Sequence, residues 1–221
     1  MSVQKVAPGV TMLRGRPPNG NSYLLGDVLV DSATRPGTKR LLAALRGRRL
    51  SAHALSHVHP PTQGASAAVC AEFGVAAWCG EGDAGVLASG RIVEAQPDRL
   101  FNRFQQRFFA GPGVPVGRVL REGDELAGFE VLEVPGHSPG HLAFWRASDR
   151  VLMLGDVVTN ENVWLGLPGL HEPPPVFTPD PARNRDSARR LADLHPALIL
   201  FAHGPPLSDG ARFQRFVADL P

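Results

Sequence analysis

The sequence has few cysteines: only Cys70 and Cys79 occur among its 221 residues. Small secreted domains that cannot build a large core depend on several disulfides, and two cysteines cannot form such a framework. We interpret both as small buried hydrophobic residues. The chain is long enough to gain its stability from a buried apolar core instead.

Lysine is also scarce, since it stands only at positions 5 and 39, and nearly all of the positive charge is arginine. The formal net charge of +2 is too small to indicate a nucleic-acid surface. No apolar run reaches the roughly 18 residues that cross a bilayer. The N-terminal residues 1–5 lack the apolar core of a secretory signal. We therefore expect a cytoplasmic protein with a small-molecule substrate and no nucleic-acid or membrane partner. A homodimer remains open.

Short apolar runs alternate with turns and helical patterns along the whole chain, which contains 24 glycines and 21 prolines. This alternation is typical of a layered α/β protein. No segment has the composition of a linker, so we predict a single domain over residues 1–221. The predicted strands are 10–13, 21–25, 28–31, 52–56, 75–79, 129–134, 142–145, 151–154 and 197–201. The predicted helices are 36–45, 65–73, 182–194 and 208–220.

Two further segments are predicted to form the walls of a pocket. Phe101, Phe104, Phe108 and Phe109 have helix-compatible spacing, and a helix that packs its aromatic face into the core is the first interpretation. A wall of the substrate site is the second. Residues 168–181 contain six prolines and are predicted to be a loop that could act as a lid.

The histidines recur at one topological position. His57 and His59 follow the predicted strand 52–56, and His137 follows the strand 129–134. Asp156 comes just after the strand 151–154, and His203 after the strand 197–201. Because loops at the carboxyl ends of strands gather at one edge of an α/β layer, these side chains are expected to lie together.

Imidazoles combined with one carboxylate suit Zn²⁺ or Fe²⁺. A His-x-His pair alone is a weak signal, because a single histidine after a strand is usually an ordinary surface residue. The combination with Pro-Gly-His-x-Pro-Gly-His, Gly-Asp and a final His-Gly is strong. We therefore expect a metal ion between four loops, with His57, His59, His137 and Asp156 as its first ligands.

With these motifs the sequence resembles the metallo-β-lactamase fold hydrolases over almost its whole length. The motifs occur in the order of that family: residues 21–25 and 28–31, Ser56-His-Val-His59, 135–141, Leu154-Gly-Asp156 and His203-Gly204. The resemblance implies a four-layer αββα sandwich with the metal site at one edge of two sheets.

The resemblance also implies a role for each polar residue. His57, His59 and His137 would be the imidazoles of a first metal position. Asp156 would be the carboxylate shared with a second position, to which His203 belongs. Asp31 and His141 would support the ligands without binding the metal.

The sequence departs from the family signature His-x-His-x-Asp-His at its last two residues, where it has Pro61 and Thr62. Proline offers no ligand atom, and a neutral hydroxyl is a poor one. The second position would then keep only Asp156 and His203. We therefore expect one metal ion per chain, with zinc as the first choice and iron as the alternative.

A hydrolase remains the first prediction for the function, acting through one water that a single metal ion activates. A small thioester, ester or lactone would be the substrate, as in hydroxyacylglutathione hydrolases and lactonases. Asp156 would serve as ligand or base, and His203 would shuttle a proton.

Two other function classes stay open. One is a mononuclear iron dioxygenase of the persulfide dioxygenase type, with His57, His137 and Asp156 as its two-histidine, one-carboxylate set. The other is a weakly active or non-catalytic member of the family, in which Pro61 and Thr62 mark a decayed site.

Overall fold

The computed structural model describes residues 1–15 and 19–221, and its larger sheet follows the order of the chain. Its seven strands are β1 Ser2–Ala7, β2 Val10–Arg14, β3 Ser22–Leu25, β4 Val28–Val30, β5 Ala52–Ala54, β6 Ala77–Gly80 and β7 Val116–Leu120. The first three neighbouring pairs are antiparallel hairpins, and the last three pairs are parallel. The parallel half requires crossover connections, and the helices supply them.

The second sheet has the strand order β14-β11-β10-β9-β8. Its strands are β8 Glu125–Leu126, β9 Phe129–Glu133, β10 Leu142–Arg146, β11 Val151–Met153 and β14 Leu198–Leu200. Only the β11–β14 pair is parallel. A separate two-stranded ribbon consists of β12 Thr159–Glu161 and β13 Pro168–His171.

Seven α-helices connect and cover the sheets within the described residues. They are α1 Thr38–Leu45, α2 Pro60–Gln63, α3 Ser66–Phe73, α4 Glu81–Ser89, α5 Leu100–Phe108, α6 Pro181–Ala192 and α7 Gly210–Ala218, with short 3₁₀ turns at Arg35–Gly37 and Ile92–Ala95. Local signals set several of the helix ends. Asp180 accepts a hydrogen bond from the first turn of α6, and Gly74 ends α3 in the left-handed conformation. None of these helices has the length and apolar character to span a bilayer.

Alternation along the strands places one side of each sheet against the other sheet. In β4, Val28 and Val30 pack between the sheets, whereas Leu29 packs on the opposite face. Phe129 and Phe144 fill the same inner layer from the second sheet. A strand directs successive side chains to opposite faces, so both faces of these sheets need an apolar cover.

Helices provide that cover on each outer face. Leu41 and Leu45 of α1 pack on the larger sheet, and Leu191 of α6 and Phe213 of α7 pack on the smaller one. The layers are therefore helix, sheet, sheet and helix, which confirms the predicted αββα sandwich.

Several element predictions need correction. The strand β1, the helix α4 and the strand β7 were not predicted. Residues 168–171 form β13, so only the rest of the predicted loop 168–181, up to the start of α6, is irregular. Pro168 is tolerated there because it begins an edge strand of a two-stranded ribbon, where the missing N–H breaks no ladder.

Candidate metal centre

The predicted ligands come together at one edge of the two sheets. His57 and His59 follow β5, and His137 follows β9. Asp156 follows β11, and His203 follows β14. His203 is half-buried, and the other four residues are almost completely buried. Five polar side chains from four loops thus share one site at the carboxyl ends of strands, as the sequence predicts.

Three imidazole nitrogens face one another without a partner. The Nε2 atoms of His57, His59 and His137 are buried, and none has a hydrogen-bond partner among the described residues. Ligand atoms of these three histidines lie within 4.8 Å of one another. A buried polar atom left unpaired costs about 1–3 kcal/mol, so three at one point indicate that something else satisfies them. A metal ion fits this donor set.

The hydrogen bonds on the other side of the rings fix the tautomers of two ligands. Ser56 Oγ donates to Asp31 Oδ2 at 2.8 Å and therefore accepts from Nδ1 of His57 at 3.0 Å. Asp31 also accepts from the Ser56 N–H at 2.8 Å. In His137, Nδ1 donates to Thr178 Oγ1 at 3.1 Å. Because Nδ1 carries the proton in both rings, the lone pair of Nε2 stays free for a metal.

The Thr178 hydroxyl can accept that bond because its own hydrogen goes to the Pro174 carbonyl, at 3.1 Å. Asp31 reaches Ser56 from a left-handed turn, with a φ of 59°, directly after β4. Aspartate tolerates this conformation better than most residues. The Ser56 hydroxyl thus links Asp31 to His57, a predicted ligand.

Burial keeps the three imidazoles neutral. It lowers the pKa of His57 and His137 well below the usual value and the pKa of His59 to about 4. The neutral ring is the form that binds a metal, so protons do not compete for these nitrogens near pH 7. Burial also raises the pKa of Asp31 to about 7.

Asp156 lies beside the three imidazoles. Its Oδ2 atom is 3.5 Å from His57 Nε2 and 3.8 Å from His137 Nε2. Two atoms that share one ion at bonds of about 2.1 Å and a tetrahedral angle stand roughly 3.4 Å apart. The carboxylate is therefore close enough to His57 and His137 to share an ion with them, although the group whose ligand atoms all lie within 4.8 Å of one another contains the three histidines only.

His203 pairs directly with the same carboxylate. Its Nδ1 atom lies 2.9 Å from both carboxylate oxygens of Asp156. Burial would lower the pKa of His203, but the Asp156 carboxylate outweighs that effect and raises it above the usual value. The ring lines the cavity described below, so a proton on it is close to a bound substrate.

Pro61 and Thr62 begin the short helix α2 and take no part in the donor set. The Thr62 hydroxyl accepts from the His59 N–H at 3.1 Å and lies 2.8 Å from the His57 carbonyl, to which it donates. It is fully buried. The side chain that replaces the family histidine thus stabilises the backbone of the His-x-His loop.

His141 lies beneath the site. Its Nε2 atom accepts from the Asp156 N–H at 3.3 Å, and its ring is 4.8 Å from that of His57. A Cβ on Gly155, which has a φ of +62°, would stand 2.3 Å from Nε2, so only glycine fits between Asp156 and this imidazole. With Nε2 engaged by the backbone, His141 supports the Asp156 loop and lies outside the three-histidine group.

Asp83 of α4 joins two loops that carry candidate ligands, and no sequence pattern pointed to it. Its Oδ2 accepts from the Val58 N–H at 3.1 Å and from the Ser138 hydroxyl at 2.6 Å, and its Oδ1 accepts from the Gly140 N–H at 2.9 Å. Burial raises the pKa of this carboxyl, which the three hydrogen bonds oppose. Val58 lies between two ligands, and Ser138 follows a third, so Asp83 holds both loops in register.

We expect Asp83→Asn to weaken metal binding roughly 10–100-fold, the range for groups that orient ligands. An amide presents N–H where the carboxylate now accepts, so one of the three donors loses its partner. Competition with a chromophoric chelator measures the affinity. Glu81→Gln, two residues earlier and on the surface, is the matched control and should bind metal as the unmodified chain does. Equal affinity in both variants would show that Asp83 does not hold the loops.

A cavity of about 220 Å³ opens beside the site. Phe101, Phe104 and Phe109 line it from α5 and the residue after that helix, and Pro174 and Phe177 line it from the proline-rich loop. Phe101 and Phe104 remain 40% and 50% exposed, so the aromatic face of α5 does not pack into the core. The first interpretation, a helix that packs this face into the core, was therefore wrong. The rings instead line a cavity, and its use as a substrate site stays a prediction.

A model of the Metallo-beta-lactamase superfamily matches residues 15–203. The probable metallo-hydrolase YflN of Bacillus subtilis (strain 168) is 38% identical over 95 residues, which cover 40% of this chain and 36% of YflN. A hydroxyacylglutathione hydrolase of Methylococcus capsulatus (strain ATCC 33009 / NCIMB 11132 / Bath) is 41% identical over 51 residues, 21% of this chain and 19% of that protein. The matched segments thus span little more than a third of YflN and about a fifth of the hydroxyacylglutathione hydrolase.

Similarity to solved structures extends over nearly the whole chain. The protein TTHA1623, crystallised in a di-iron-bound form, superposes with a TM-score of 0.71 at 29% sequence identity. The match covers 93% of this chain and 98% of TTHA1623. The αββα layers are thus those of a known fold.

Proposed function

The chain belongs to the metallo-beta-lactamase superfamily, and on that premise we propose that it is a metal-dependent hydrolase of a small thioester, ester or lactone. The group of three buried, unpaired Nε2 atoms carries the proposal. The tautomers of His57 and His137 and the lowered pKa values of all three rings prepare them for a metal ion, and the adjoining cavity has room for a small acyl group. The names of the relatives, which include a hydroxyacylglutathione hydrolase, point to the same reaction class.

The proposed ligand set is His57, His59, His137 and Asp156, with one ion per chain. The separations between Asp156 Oδ2 and two of the imidazoles support it. Pro61 and Thr62 supply no further ligand, and His203 is engaged with Asp156. Zinc suits this set of nitrogen and oxygen donors. Iron is the alternative, and the di-iron-bound form of TTHA1623 supports it.

When bound, the ion would supply Lewis acidity for the substrate carbonyl and lower the pKa of a water molecule to roughly 7. The chain's own residues would position and transfer the proton. Asp156 orients His203 through Nδ1 and stabilises the protonated ring. As water adds to the carbonyl carbon and the bond to the leaving group breaks, His203 can donate a proton to the departing oxygen or sulfur.

The two other classes are less well supported. An iron oxygenase of the two-histidine, one-carboxylate kind needs only His57, His137 and Asp156, whereas the third imidazole, His59, also directs an unpaired nitrogen to the same point. A decayed site would not be expected to keep the hydrogen bonds that hold Nε2 free on His57 and His137. Both observations favour a functional three-histidine site.

We expect the purified chain to retain about one equivalent of metal per chain after dialysis against a weak chelator, because four protein ligands are available for one ion only. Elemental analysis measures both the stoichiometry and the element. Two equivalents that survive this dialysis would refute the single-metal proposal.

The activity test uses the same preparation. Hydrolysis of a panel of small thioesters, esters and lactones should disappear with a strong chelator and return when zinc is added. A preparation that holds its metal, hydrolyses none of the panel and consumes oxygen with a persulfide would favour the oxygenase instead.

A further inference from the structure

The cavity beside the metal centre has no lysine or arginine among the described residues that line it. Its two carboxylates are Asp156 and Glu161, and the protonated His203 ring is already paired with Asp156. Arg14 lies 3.9 Å from Glu161 but does not line the cavity. An anionic group that reached past the metal centre would therefore meet Glu161 with no unpaired side-chain cation in the described wall.

Aromatic rings form much of the wall. The ring centroids of Phe101, Trp164 and Phe177 are 5.4–5.8 Å apart, so the three rings touch one another around the mouth of the cavity. Trp164 is still 55% exposed, which leaves apolar area for a ligand to cover. Such a wall suits an aliphatic or aromatic group.

One polar side chain in this wall has no partner. Gln96 is 8% exposed, and neither its Nε2 nor its Oε1 atom has a hydrogen-bond partner among the described residues. It follows the 3₁₀ turn Ile92–Ala95 and lines the cavity. A buried amide with both donor and acceptor free is satisfied best by a ligand that offers an acceptor and a donor, as a carboxamide does.

We propose that this cavity selects neutral acyl substrates whose apolar part lies against Phe101, Trp164 and Phe177 and whose carboxamide pairs with Gln96. Cleavage of such a substrate rests on the proposed hydrolase function, but its recognition does not. The proposal separates this chain from its hydroxyacylglutathione hydrolase relative, because a glutathione thioester carries carboxylates for which the described cavity has no lysine or arginine.

Binding to the metal-loaded protein tests the proposal without turnover. The probes are N-phenylhexanamide, its 4-sulfonate and 1-phenylheptan-2-one, in which CH₂ replaces the amide N–H. Calorimetry should give the neutral amide a Kd at least about tenfold lower than that of the sulfonate and several-fold lower than that of the ketone, as one extra hydrogen bond allows. Equal affinities for the amide and the sulfonate, or no binding of the amide up to its solubility, would overturn the proposal.

Two matched pairs of variants locate the contacts. Gln96→Leu should remove the preference for the amide over the ketone, whereas Gln105→Leu, at the other glutamine of the wall, should keep it. Trp164→Ala should weaken all neutral probes several-fold, whereas Leu165→Ala, exposed and outside the wall, should not. An unchanged preference in Gln96→Leu would reject the role of Gln96.

The outcomes also separate this proposal from the hydrolase proposal. If the chain prefers the neutral amide but cleaves none of the thioester, ester and lactone panel, the proposed selectivity is supported and the proposed hydrolase function is rejected. A chain that cleaves the panel but binds the sulfonate as well as the amide keeps the reaction and loses the selectivity.

Discussion

Replacing His137 with alanine is expected to remove the metal from the purified protein. Structural zinc sites with four protein ligands bind with about 10–16 kcal/mol. One ligand of four then accounts for roughly 3–4 kcal/mol, which is a factor of roughly 100–1000 in Kd. The variant also leaves the nitrogens of His57 and His59 without their shared ion. Elemental analysis after gel filtration and a chelator competition measure the loss.

The matched control is His141→Ala, four residues later in the same loop. Its Nε2 is engaged by the Asp156 N–H, so its removal loosens the Asp156 loop and leaves the three unpaired nitrogens in place. We expect a loss at least tenfold smaller than that of His137→Ala, within the range for groups that support ligands. If both variants lost metal equally, His141 would have to be counted as a ligand.

The clustering of the candidate ligands could be predicted from the sequence because their positions follow from local patterns. Each lies directly after a short apolar strand, and His57, His137 and Asp156 reach the same edge because strands of packed sheets end there. The α/β class was predictable for a similar reason, since continuous apolar runs such as β4 mark strands buried on both faces, whereas the four-layer arrangement was predicted from the family resemblance.

The supporting residues could not be predicted, because their roles arise between distant segments. Asp83 bonds to Gly140, 57 positions away, and Thr178 bonds to His137, 41 positions away. Neither position has a local pattern that distinguishes it from an ordinary helix or loop residue. Gln96 stands out only because its buried amide has no hydrogen-bond partner within the described part of the chain, and the sequence alone cannot indicate that.

The aromatic helix shows where periodicity is ambiguous. Spacing at α5 establishes that Phe101 and Phe104 share a face, but the same pattern serves a core face and a pocket wall. The segments that pack beside the helix decide between the two. Trp164 and Phe177 come from loops far along the sequence and leave an open cavity next to Phe101. These two loops lie too far from α5 in the sequence for the local pattern of the helix to indicate them.

Restoring the two missing ligands with Pro61→Asp and Thr62→His is expected to create a second metal position. The introduced side chains would join Asp156 and His203, so the variant should bind two equivalents of zinc. Hydrolysis of a generic thioester or lactone should rise at least roughly tenfold, about 1.4 kcal/mol in barrier height, because a second ion adds a clamp on the substrate. Elemental analysis and initial rates measure the two effects.

The structure also predicts a cost for this repair. The Thr62 hydroxyl now bonds to the backbone of both His57 and His59, and its loss should lower the free energy of unfolding by about 1–3 kcal/mol. Thr62→Val, which removes the hydroxyl and adds no ligand, should show the same destabilisation with metal content unchanged at one. Comparing the two variants by thermal unfolding separates the loop's contribution to stability from the effect of the new ligands.

A third variant identifies where the second ion binds. In the repaired background, His203→Ala should lose the second equivalent and keep the first, because His203 is not one of the four ligands proposed for the first ion. A folded double variant that still binds one metal would mean that the path of residues 60–63 has diverged as well as their identity. Pro60, which fixes φ near −65° at the start of α2 and is retained in this variant, would then be the residue that holds the loop away from the second position.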